Sequence, residues 1–240
     1  MNSGYVPKDY EVFAGLDVDK GSIAATFLDN YGELKSVKMS SKPENLLNYV
    51  RNHYNGQKVI FAYEAGPTGF GLYDKLNEKK FKCLVLAPAN IPTALGQKVK
   101  TNRLDSLKIS TNLRGGQLES IHIPTQAYRQ LRYLMQMRDT FVDQLKATKS
   151  RIKALLLCES IPFPGTSSLG GWTRSALEQL KTLSCSEGVR YKLNHLLSSY
   201  EFFRKNILEV MKEIRTFCKK DEELDRNIKY LRSIPGIGTT

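Results

Sequence analysis

Hydrophobic and polar positions follow two different patterns along this chain, and the change falls near residue 125. From Glu11 to about Ile123, short apolar runs alternate with helical spacings. Val12 to Leu28 reads as two strands around the turn Asp19-Lys20-Gly21-Ser22, and Tyr31-Gly32 turns the chain into a third strand, Leu34 to Met39. Lys42-Pro43-Glu44, followed by Leu46, Leu47 and Val50, opens a helix with proline just inside its start. Next come the run Val59 to Tyr63, a helix from about Gly69 to Lys80, and the run Cys83 to Ala87, stopped by Pro88. Strands joined by tight turns predict an antiparallel start. Apolar strands separated by helices predict parallel crossovers and a sheet covered on both faces. The element order is βββαβαβα.

From Gln126 onwards strand signals vanish. Leu131, Leu134, Arg138, Phe141, Leu145, Thr148, Ile152 and Leu155 recur at steps of three and four, a heptad seam with two polar interruptions. Val189, Leu193, Leu196, Tyr200, Phe203, Ile207, Val210, Ile214 and Phe217 continue the alternation with no charged residue. A helix over that second stretch would be ~44 Å long at 1.5 Å per residue, and so narrow a seam needs a partner helix. Ile161 to Gly171, rich in Pro, Gly and Ser, permits a reversal. The prediction is an antiparallel hairpin of long helices, a coiled coil that could also pair between chains; the alternative is an ordinary helical bundle core.

Composition narrows the function classes. The chain has 240 residues, 41% of them hydrophobic, enough for a real core. Lys and Arg number 36 against 24 Asp and Glu, and the net charge of +12 divides as +4 for residues 1–120 and +8 for 121–240. Such an excess points to a polyanion, most often nucleic acid. The four cysteines, Cys83, Cys158, Cys185 and Cys218, lie too far apart for a zinc module or a disulfide framework, which fits a reducing cytoplasm. No apolar stretch has the length of a membrane span.

Candidate chemistry lies where carboxylates leave the predicted strands. Asp17 ends the run Phe13-Ala14-Gly15-Leu16, where a buried charge needs compensation, and Glu64 closes Phe61-Ala62-Tyr63 on what would be a neighbouring strand. Asn102 and Asp105, spaced i and i+3, share one helical face. Together these side chains could hold Mg²⁺ or Mn²⁺, hard cations that prefer oxygen ligands, for phosphodiester chemistry. Lys98, Lys100 and Arg103 flank the acids and could steer a phosphate backbone to them. Lys146, Lys149 and Lys153 fall on one face of the first long helix, suitable for tracking phosphates. Gly66-Pro67-Thr68-Gly69 reads as a strand-to-helix turn rather than a phosphate cradle. Trp172 is expected to anchor the return of the hairpin.

Four segments, Gly15-Leu16-Asp17-Val18-Asp19-Lys20, Tyr63-Glu64-Ala65-Gly66-Pro67-Thr68-Gly69, Lys100-Thr101-Asn102-Arg103-Leu104-Asp105-Ser106 and Ser233-Ile234-Pro235-Gly236-Ile237-Gly238, occur in the order and spacing of the DEDD transposases of bacterial insertion-sequence family 110. The resemblance spans essentially the whole chain. It implies a ribonuclease-H-like (RuvC-like) α/β domain over residues 1–123, a long-helix coiled-coil region over 124–220, and over 221–240 the start of a C-terminal transposase domain with an incomplete helix-hairpin-helix. It further implies a site-specific recombinase with a metal-binding acidic tetrad, acting on transposon-end and target DNA. A structured bridge RNA serves as guide in at least some members, and a serine nucleophile comes from the C-terminal domain. Carried over by motif, Asp17, Glu64 and Asp105 are the first, second and fourth acidic positions.

Two departures stand out. The third acidic position, Asp in the family pattern, is Asn102, which keeps a carbonyl oxygen but lacks the charge; Asp19, two residues from Asp17, could partly compensate. The family's nucleophilic serine lies beyond residue 240, so this chain is expected to be a fragment unable to complete recombination alone. Two other classes compete: a non-catalytic nucleic-acid-binding coiled-coil remnant, and an actin-like ATPase or sugar kinase, whose first phosphate motif Gly15 to Gly32 also resembles.

Overall fold

The apolar runs become strands and the helical spacings helices. The computed structural model describes residues 5–92, 101–164 and 171–238. The chain divides into two compact units, Met1–Ile123 and Pro124–Thr240.

The first unit holds β1 (Val12–Val18), β2 (Ser22–Asp29), β3 (Leu34–Ser40), α1 (Pro43–His53), β4 (Val59–Glu64), α2 (Gly71–Glu78), β5 (Lys82–Leu86) and α3 (Asn102–Arg114). The sheet order is β3-β2-β1-β4-β5, with β1, β2 and β3 antiparallel and β1, β4 and β5 parallel. The central strands β1 and β4 are buried along most of their length, as near-continuous apolar runs require. On one face, Leu46 and Val50 of α1 and Leu72 and Leu76 of α2 pack against Leu16, Phe27, Phe61 and Tyr63. On the other, Ile109 and Leu113 of α3 pack with Phe13, Ile60, Ala62 and Leu84.

The second face is covered only in part, contrary to the expectation of full coverage. On edge strand β3, Ser36 and Lys38 remain exposed. The cause is the seating of α3 over the middle of the sheet. A Cβ on Gly15 of β1 would lie 2.1 Å from the Ser106 carbonyl oxygen and 2.4 Å from the Ser110 nitrogen. Only glycine permits this contact, and small residues continue it. Ser106 Oγ donates to Arg103 O at 3.0 Å, so it must accept from Thr26 Oγ1 at 2.8 Å; Thr26 in turn accepts from Ser36 Oγ at 3.0 Å. Thr26 and Ser106 are fully buried. The hydroxyl chain leaves no polar atom of theirs unmet and fixes the first turn of α3 on β2.

In the second unit, α4 (Gln126–Cys158) and α6 (Glu187–Lys220) are long helices, with α5 (Arg174–Thr182) between them and α7 (Glu222–Arg232) after. Ile152, Leu155 and Leu156 at the end of α4 meet Val189, Leu193, Leu197 and Tyr200 at the start of α6. Leu131, Leu134 and Phe141 meet Val210, Ile214 and Cys218 near its end. These contacts make the pair antiparallel. The seam differs from the strict heptad in that Leu197 and Cys218 are buried where Leu196 and Phe217 were expected, and those two are half-buried. A straight helix drifts ~20° per heptad, which over the four heptads from Val189 accounts for the passage from Phe217 to Cys218. Leu197, only one heptad along, is buried instead within the cluster that includes Leu177 and Leu180 of α5. The sequence pattern also missed α5, whose Leu177 and Leu180 complete the cluster around Leu193. Trp172 stacks on Tyr200 with centroids 5.1 Å apart and lies 4.8 Å from Phe163.

Gly15→Ala is expected to destabilise the first unit by more than the ~1–3 kcal/mol of ordinary overpacking, because the clash is with α3 backbone rather than a side chain that can turn away. Thr26→Val, which removes the middle hydroxyl of the buried chain, should cost about 1–3 kcal/mol. Urea unfolding followed by far-ultraviolet circular dichroism measures both, and a Gly15→Ala variant as stable as wild type would refute the close approach.

Candidate metal centre

Strand register carries the acidic residues to one end of the sheet. Asp17 is paired in register with Ala24, and Ala24 with Lys38. Gly15 is paired with Ala62 across the parallel β1–β4 ladder, so Glu64, two residues further along β4, follows Ala62 onto the same face as Asp17. That face is the one α3 covers, since Gly15 meets Ser106 and Ala62 shares a cluster with Ile109. One cross-strand row therefore runs Glu64, Asp17, Ala24, Lys38.

Helix α3 brings the remaining groups. Thr101 caps it, its Oγ1 accepting from Leu104 N at 3.3 Å, so that Asn102 and Asp105 occupy the first turn. Asp19 lies beyond the end of β1, in the hairpin turn closed by its own N–H donating to Ser22 O at 2.9 Å. Its carboxylate accepts a hydrogen bond from Asn102 Nδ2. Only the amide nitrogen can donate to a carboxylate, which leaves the Asn102 carbonyl oxygen as its acceptor end.

Asp17 is half-buried and its pKa is raised from the usual 3.8, first by loss of solvent and then by the negative charges of Asp19, Asp105 and Glu64. Among the described residues, none of these four carboxylates has an ion-pair partner. The arrangement is thus an electrostatic deficit, and an oxygen-only donor set of this charge suits a hard divalent cation. It is not a finished cage: among the described residues, no three His, Cys, Asp or Glu side chains are close enough to hold an ion. The expected carboxylates share one end of the sheet without converging on a point.

Residues expected to contact nucleic acid are dispersed. Lys98 and Lys100 lie outside the described residues, while Arg103 is exposed in the first turn of α3. The three lysines of α4 each have an internal neighbour. Lys146 Nζ pairs with Asp143 at 3.1 Å, Lys149 Nζ lies 5.7 Å from the Trp172 ring centre and 5.9 Å from that of Tyr200, and Lys153 Nζ lies 5.4 Å from that of Phe163. At least two of them thus belong in part to the aromatic cluster that closes the helical unit. Sequence reasoning missed Lys38, whose place in the row with Asp17 follows from counting register through two hairpin turns. Gly66 to Gly69 is a turn: Gly69 N donates to Gly66 O at 3.1 Å, and Gly69 has φ +67°.

A five-stranded mixed sheet with this order, followed by helices and carrying acids at the ends of β1 and β4, is consistent with a ribonuclease-H-like α/β domain. The chain belongs to the DEDD transposases of insertion-sequence family 110: the family model, described as a transposase, matches residues 14–159. It is 31% identical over 188 residues to a candidate transposase, y4qE, of Sinorhizobium fredii, covering 75% of this chain and 47% of that protein. It is also 23% identical over 232 residues to the transposase for insertion sequence element IS1533 of Leptospira borgpetersenii, covering 95% of this chain and 66% of that one. The chain spans about half to two thirds of the length of these curated relatives.

The raised pKa of Asp17 fixes the sign of a pH effect. Folded Asp17 holds its proton more tightly than unfolded Asp17, so its ionisation costs stability as pH rises from 3.8 through the raised value, and the loss persists above it. Asp17→Asn should therefore raise the melting temperature of metal-free protein at neutral pH, with the gain shrinking as pH falls through the carboxylate range. Thermal melts between pH 3 and 7.5 test this, and a variant less stable than wild type at neutral pH would contradict the repulsion argument.

Proposed function

We propose that this chain carries the metal-binding part of an insertion-sequence transposase that breaks and rejoins phosphodiester bonds of DNA. The observation that carries the reading is the uncompensated row of Asp17 and Glu64 beneath the first turn of α3, with Asp105 and Asn102 above it. Asp17, Glu64 and Asp105 would hold Mg²⁺ or Mn²⁺ through carboxylate oxygens, and Asn102 is available through its carbonyl oxygen. A bound cation supplies Lewis-acid stabilisation of charge developing on phosphate oxygens. The residues' own contribution is positional: β1 and β4 fix two carboxylates by register, and the hydroxyl chain through Thr26 fixes the helix that carries the third.

Asn102 removes one charge from the family's acidic set, and Asp19, held by the Asn102 amide, restores one beside it. The basic surplus supports nucleic acid as partner, and the family resemblance supports a structured guide RNA beside the DNA. Exposed Tyr133, Met137, Phe202 and Leu208 on α4 and α6 support pairing with a second copy. Among the described residues, no helix is long and apolar enough to cross a membrane.

A second reading, a nucleic-acid-binding remnant without catalysis, is favoured by the amide at position 102 together with the absence of a converged cage among the described residues. Calorimetric titration with Mn²⁺ and Mg²⁺ separates the two. Metal binding by the native chain, lost in Asp17→Ala and tightened about tenfold (~1.4 kcal/mol) in Asn102→Asp, is the expected result. Binding in Asn102→Asp alone would favour the remnant, and binding in neither would overturn the site.

A further inference from the structure

Beyond the acidic row, the face that α3 leaves open forms a shallow groove of about 150 Å³, lined by Ala24, Ser36, Lys38, Arg103 and Ser106, with Ala25 and Val37 behind. Its floor is small and its two ends are cationic. Ser36 cannot add a donor, because its one proton is committed to Thr26 through the hydroxyl chain. Lys38 and Arg103 are exposed, and among the described residues neither has a carboxylate partner.

The placement of these two cations is not loose. Lys38 stands on the row of Asp17, two strands away, a backbone separation of about 10 Å. Arg103 stands between Asn102 and Asp105, and its carbonyl is the acceptor that ends the buried hydroxyl chain. Two elements, an edge strand and a pinned helical turn, thus carry one positive charge each to opposite sides of a concavity beside four negative ones.

That juxtaposition has a chemical use. A phosphodiester approaching Asp17, Asp19, Glu64 and Asp105 meets repulsion, and cations within reach of the neighbouring phosphate offset it. The floor is built of small side chains, Ala24, Ser36 and Ser106, which leave it open.

We propose that Lys38 and Arg103 form a seat for the sugar-phosphate backbone of the nucleic-acid strand, holding the phosphate adjacent to the one presented to the acidic row. The seat rests on the metal-dependent phosphodiester reading and gives it a strand direction, running from β1 across β2 to the β3 edge. A simpler role for Lys38 exists, since lysine on an edge strand also blunts strand-to-strand aggregation. That role predicts no effect on salt-dependent anion binding.

The test is fluorescence-anisotropy titration of the 240-residue chain with labelled single-stranded DNA and with RNA of the same sequence, at several salt concentrations. It compares wild type, Lys38→Gln, Arg103→Gln, the double variant, and Lys79→Gln, which removes an exposed charge from the C-terminal end of α2 on the opposite face. The slope of log affinity against log salt should fall by ~0.7 for each groove substitution and by ~1.4 for the double variant. Lys79→Gln should leave it unchanged, thermal melts of the groove variants should match wild type, and their Mn²⁺ binding should be retained, no weaker than in wild type. A change confined to DNA or to RNA identifies the strand that is seated. Wild-type binding with unaltered slopes in the groove variants, or an equal fall in Lys79→Gln, overturns the seat while leaving the metal reading intact. If the wild-type chain binds neither nucleic acid nor metal, the reading itself falls and the seat with it.

Discussion

The contact of α3 with the sheet at Gly15 governs the first unit. A side chain at that position would meet backbone atoms of Ser106 and Ser110, so the helix can approach only because residue 15 has none. The closeness dictates what else lies between the two layers. Thr26, Ser106 and Ser110 are buried where larger apolar residues would be usual; the Thr26 and Ser106 hydroxyls are satisfied in sequence from Ser36 to the carbonyl of Arg103, and Ser110 Oγ donates to Leu107 O at 2.8 Å. A chain of directional bonds limits rotation of the helix more sharply than apolar packing does. Asn102 and Asp105, both in its first turn, are thereby held near the ends of β1 and β4.

The same geometry concentrates negative charge. Asp17 is forced towards its protonated form by loss of water and by three neighbouring carboxylates, so the fold spends stability to keep this row intact. Clustered like charges of this kind are expected at functional sites and uncommon elsewhere. The pairing of Asn102 with Asp19 tempers the cost. An aspartate at 102 would add repulsion against Asp19, whereas the amide donates to it.

Much of this was legible in the sequence because it rests on local patterns. The strand runs, the turn at Asp19 to Ser22, the helix start at Pro43 and the order of elements follow from periodicity and turn chemistry, and the acidic positions follow from the strand ends. What was not legible depends on accumulated geometry. The shift from Phe217 to Cys218 is the difference between 3.5 and 3.6 residues per turn summed over four heptads, and Leu197 is buried in place of Leu196 where α5 adds Leu177 and Leu180 to the cluster. Helix α3 reads weakly as amphipathic because serines occupy its buried face, so nothing local signals how near the sheet it lies. Sequence also cannot show that Trp172 and Tyr200 fold beside Lys149, a residue expected on its spacing to track phosphates.

The open part of the α3 face then has a structural origin rather than being an omission. Helices α1 and α2 cover the opposite face as far as Val37 and Met39 of β3, which alternate inwards. On the near face, α3 must sit over Gly15 and cannot also cover β3, so Ser36 and Lys38 stay in solvent. The one helix that brings Asp105 to Asp17 is also the one whose position leaves free space beside them. An acidic row buried on every side could hold an ion but would exclude a polymer. Here register carries the row without interruption from the acids into the open groove, so in the proposed seat the path of a backbone and the place where it would meet the carboxylates are set by the same strands.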